Sequence, residues 1–79
     1  MSTTDKSLAQ MRNNPRGWRI EDLEAVAKRL GFSIRKGSGS HVTFSAKGCP
    51  IVVTVPAHKP LKPAYVRMFV KLADEAKEV

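Results

Sequence analysis

Apolar residues recur with two different periods along this chain. Ile20, Leu23, Val26, Ala27 and Leu30 fall three or four apart, on one face of a helix. Glu21, Asp22 and Glu24 occupy its first turns, where carboxylates complement the positive end of the helix dipole. Lys28 and Arg29 lie near its other end, and Gly31 is a natural stop. The spacing predicts a helix over Arg19 to Leu30. Beyond it the period changes to two. Phe32 to Arg35 alternates apolar and polar, and Lys36-Gly37-Ser38-Gly39-Ser40 reads as a turn. In His41 to Ala46 the residues Val42, Phe44 and Ala46 share one face, while His41, Thr43 and Ser45 share the other. Lys47 to Pro50 breaks that strand. Ile51 to Val55 is rich in β-branched residues and stops at Pro56. A linker with prolines at 56, 60 and 63 leads to a second helix, expected from Pro63 to Lys77. Its buried stripe is Val66, Phe69, Val70, Ala73 and Ala76.

The predicted order is α-β-β-β-α, an α+β fold. Short connections between strands imply an antiparallel meander. Two helices covering one face of a three-stranded sheet leave the other face to solvent, an arrangement that matches the double-stranded-RNA-binding type of fold. With Val42 and Phe44 turned inward, His41 lies on the open face. Residues 1–17 are polar and end in the breaker cluster Asn13-Asn14-Pro15-Arg16-Gly17. They are expected to form a flexible arm, with one helical turn around Ser7 to Arg12 at most. Residues 18–79 form the single domain that a chain of 79 residues accommodates.

Charge narrows the function. Fourteen Lys and Arg against seven Asp and Glu give a net charge of +7 and a pI near 10.1. The signs are segregated: between Ala25 and Ala73 there is no acidic residue. That builds a local positive field suited to a polyanion, with nucleic acid ahead of an acidic protein. Cys49 is the single cysteine, so neither an intramolecular disulfide nor a cysteine-based zinc site is expected. No signal peptide or membrane span is visible, and a cytoplasmic location is expected. The two histidines and Cys49 are far apart in sequence, which makes a metal centre or other cofactor a poor expectation.

His41 is the foremost chemical candidate. An imidazole takes and returns protons near neutral pH, and RNA supplies its own nucleophile, the 2′-hydroxyl. Arg35 and Lys36 lie just upstream. Gly37, Ser38, Gly39 and Ser40 would let the backbone approach a phosphate and offer it N–H groups. His58 sits in the proline-rich linker beside Lys59, with Lys62 shortly after; if linker and hairpin meet, two histidines can share acid and base roles. Against this, a histidine opening a strand on a solvated face is more often a bystander. A Gly-Ser run is usually only a hairpin loop. Trp18 and Tyr65 can stack on a base or simply cover the core.

Taken in order, Leu30-Gly31-Phe32, Arg35-Lys36, Gly39-Ser40-His41, Phe44 and Val53-Thr54-Val55-Pro56-Ala57-His58 resemble the HicA family of bacterial toxins. The resemblance spans Trp18 to about Leu72. It implies a fold like double-stranded-RNA-binding domains and a metal-independent mRNA endonuclease that arrests translation. It also implies His41 as the catalytic residue, His58 as part of the family pattern, and a HicB-type antitoxin that covers the site. About seventeen residues precede the first predicted helix here, whereas family members often begin close to it. Two other readings stay open: an RNA-binding module without catalysis, and an interaction protein for an acidic partner.

Overall fold

The computed structural model describes residues 3–37, 39–57 and 61–77. The elements are α1 (Thr3–Asn13), α2 (Ile20–Leu30), β1 (Ser33–Lys36), β2 (His41–Ser45), β3 (Val52–Pro56) and α3 (Pro63–Lys77). From α2 onward this is the expected α-β-β-β-α order, with each boundary within one residue of the sequence reading.

Local chemistry explains the ends of α2. The Asp22 carboxylate accepts the N–H of Arg19 at 2.9 Å, satisfying a donor at the helix start. At the other end Gly31 adopts φ +77°, a left-handed conformation that favours glycine. Its N–H donates to the Lys28 carbonyl, and the N–H of Phe32 donates to the Ala27 carbonyl. This closing pair sends the chain directly into β1.

The strands form one antiparallel sheet in the order β1-β2-β3. Ile34 pairs with Phe44 and Phe44 with Val53; Val42 pairs with Val55. These side chains face the helices, and Phe44, Val53 and Val55 are fully buried. Phe69 of α3 meets Phe44 edge to face, with centroids 5.1 Å apart, and Phe32 at 6.3 Å. Helix α2 packs on β1 and α3 on β3, both on the inward face. The outward row is polar: Arg35 pairs with Thr43, and Thr43 with Thr54, their hydroxyl oxygens 3.2 Å apart.

The segment before Trp18 departs from expectation. In place of a loose arm with one turn, Thr3–Asn13 is an eleven-residue helix packed against α3 and α2. Leu8 and Met11, one turn apart, are 2% and 0% exposed and belong to the main core. Arg12 adds an ion pair at 2.6 Å to Asp74 of α3. Intrinsic helix propensity is weak here, and burial of two side chains against a preformed helix pair decides the outcome.

Candidate functional site

His41 is the first residue of β2 and is exposed. Its carbonyl accepts the N–H of Gly37 at 3.1 Å, closing the hairpin. The preceding Ser40 carbonyl accepts the N–H of Ala57 at 2.6 Å. The residue is thus held from both sides: β1 through Gly37 and the end of β3 through Ala57, with Pro56 as its register partner. Gly39 takes φ +74°, which the tight turn before His41 requires. A Cβ added at Gly37 would meet no atom within 4 Å, so that glycine leaves open surface beside the turn.

His41 borders a cavity of about 260 Å³. The hairpin contributes Lys36, Gly39, Ser40, His41 and Val42; α2 contributes Ile20, Glu21 and Glu24; Ala57 closes the far side. Two carboxylates therefore share a cavity with the candidate histidine. The charge pattern concealed this, because Glu21 and Glu24 read as ordinary acids of a helix start. Their spacing held the signal: three residues apart, they lie on one side of α2, next to the buried Ile20. Glu24 is mostly buried and accepts an ion pair from the Lys36 ammonium at 3.4 Å.

The two neighbouring cations part company. Arg35 is on the outward row opposite Thr43, whereas Lys36 alternates to the other side and reaches Glu24. Lys62 is exposed, just before α3, and does not line the His41 cavity. The N–H of Gly37 is engaged by His41, so it is not available to a phosphate. Ser38, His58 and Lys59, also expected at the site, lie outside the described residues. Among the described residues no three His, Cys, Asp or Glu side chains gather as a metal site. No helix among them is long and apolar enough to cross a membrane.

Residues 20–74, more than half of the chain, match the model of a protein family described as the HicA toxin of bacterial toxin–antitoxin. The chain belongs to the HicA toxin family. The match runs from the first residue of α2 into α3, and so contains the whole His41 cavity; α1 and the α1–α2 junction lie before it. Comparison with curated proteins and with solved structures gave no match. A HicA toxin belongs with an antitoxin, so an antitoxin partner follows from the family itself. The resemblance carried by Gly39-Ser40-His41 and the Val-Pro-x-His element is thereby confirmed at the level of the family.

Proposed function

We propose that this HicA toxin is a metal-independent endoribonuclease that cuts cytoplasmic mRNA, arrests translation and is neutralised by a HicB-type antitoxin. The observation that carries this reading is His41, fixed at a glycine-bearing turn and bordering a cavity with Lys36, in a chain of this toxin family. The helix-backed sheet with one polar face supports the likeness to double-stranded-RNA-binding domains.

The chemistry is balanced with RNA alone. His41 takes the proton of a 2′-hydroxyl, and that oxygen attacks the adjacent phosphorus. The bond from phosphorus to the 5′-oxygen breaks, and the departing oxygen receives a proton from an acid. The products carry a 2′,3′-cyclic phosphate and a 5′-hydroxyl. His58 is the proposed acid. Lys36, held by Glu24, faces the charge that builds on the phosphate. Ser38, Gly39 and Ser40 cradle the phosphate, and Arg35, Lys59 and Lys62 bind the strand to either side. The antitoxin works by covering the His41 cavity and the outward row of the sheet.

The test compares RNA cleavage by the wild-type chain and His41→Ala, with a chelator present, before and after adding the antitoxin. Cleavage by wild type alone, suppressed by antitoxin, supports the proposal. Intact RNA in every lane, with salt-sensitive binding by both proteins, replaces it with an RNA-binding module that does no chemistry.

A further inference from the structure

The junction between α1 and α2 holds a larger cavity than the one beside His41. Its volume is about 500 Å³, and it is lined by the amide side chains Gln10, Asn13 and Asn14, by Arg16, and by Trp18. Asp22 closes it, with its carboxylate committed to the Arg19 N–H. Nothing in the proposed cleavage chemistry uses this place, and apart from Asp22 its lining residues lie before those that the family model matches.

The Trp18 indole is held in a fixed pose. Its N–H donates to the Asn14 carbonyl at 2.7 Å, and one part of the ring packs against the core. The Trp18 carbonyl accepts the N–H of Leu61 at 3.0 Å, which ties the junction to the segment entering α3. The side chain remains partly exposed and borders a second, smaller cavity beside Arg29. A preoriented aromatic face, amides that both donate and accept, and an exposed guanidinium are what a single unstacked nucleotide requires. The base stacks on the ring, the amides meet its edge, and the cation meets its phosphate. The first turn of α2 separates the two cavities: Glu21 lines the one with His41, and Asp22 lines the one with Trp18.

We propose that the Trp18 cavity is a second RNA subsite, which takes the base of one unpaired nucleotide while the strand continues to His41. This rests on the RNA-cleaving reading of the His41 cavity and deepens it: the substrate is single-stranded where it crosses α2. An RNA duplex keeps its bases stacked and cannot fill this subsite.

Trp18 is the only tryptophan of the chain, so tryptophan fluorescence reports on the surroundings of this one ring. The test titrates the intact wild-type protein with a short 2′-O-methyl oligonucleotide, which cannot be cleaved by 2′-hydroxyl attack. Parallel titrations use the same oligonucleotide carrying abasic positions, the matched duplex, and heparin as a polyanion without bases. The expected result is saturable quenching by the single strand, with apparent affinity about tenfold weaker for the abasic strand. Arg16→Gln, at an exposed position, is expected to weaken single-strand binding about threefold while the quench at saturation persists. Equal responses to the abasic strand, the duplex and heparin would overturn the subsite, as would single-strand binding seen by anisotropy without any change at Trp18. Because no bond is cut in this experiment, its outcome is independent of whether His41 is catalytic.

Discussion

The two cavities on either side of the α2 start differ in what they contain. The His41 cavity joins an imidazole, two carboxylates and an ammonium at a tight turn. The Trp18 cavity offers amides, a guanidinium and an aromatic face, and its one carboxylate is used within the protein. The first has groups that can move protons; the second has groups that can only bind. Catalysis needs proton transfer at a defined distance, whereas stacking and phosphate contact tolerate variation in the strand. A single short helix thus separates proposed chemistry from proposed grip.

Substitutions in the two regions should therefore have unequal effects. His41→Gln is expected to lower the cleavage rate by about a hundredfold to ten-thousandfold, with thermal stability unchanged because the residue is exposed. Trp18→Phe should instead raise KM by about tenfold or less with kcat preserved. A matching fall in kcat for both variants, measured by steady-state cleavage, would erase the contrast.

The next largest effect concerns the support beneath the Trp18 cavity. Met11 is fully buried, so Met11→Ala should cost about 2–5 kcal/mol in urea unfolding. A loss below about 0.5 kcal/mol, the range of surface changes, would mean that α1 is not part of the cooperative core. At the His41 cavity, Glu24→Gln frees Lys36. Cleavage should fall several-fold, and stability should change by less than about 1 kcal/mol because the Lys36 side chain is largely in water. Restored cleavage in Glu24→Asp would mark a positioning role. The smallest effect is expected from Arg12→Ala, whose pair with Asp74 is about half-exposed on both sides. It should cost about 0.5 kcal/mol and leave cleavage intact.

The core fold was legible because periodicity and burial agree. Val42 and Phe44 point inward as the alternation requires, and Gly31 ends α2 as a glycine after an apolar stripe should. Helix α1 was not legible. Leu8 and Met11 are too few to form a stripe, and Asn13-Asn14-Pro15 reads as a break; only packing on α3 reveals their use. The site was legible in part. His41 at a glycine-bearing turn is a local feature, and so is the outward alternation of Arg35. The meeting of Glu24 with Lys36 is not local, since it needs the packing of α2 on β1. The Trp18 cavity needs α1 in place, because Gln10 and Asn13 of that helix line it, and nothing local in residues 1–17 signals that helix.

The proposed cleavage is a proton transfer that uses the RNA's own 2′-hydroxyl. The direct test is to incubate the antitoxin-free protein with a labelled RNA in excess chelator, map the cut, and repeat with a single 2′-deoxynucleotide on the 5′ side of that bond. Cleavage that leaves a 2′,3′-cyclic phosphate, and that stops at the substituted position, is the predicted result. Cleavage that persists through the 2′-deoxynucleotide, or that vanishes with the chelator, would contradict it.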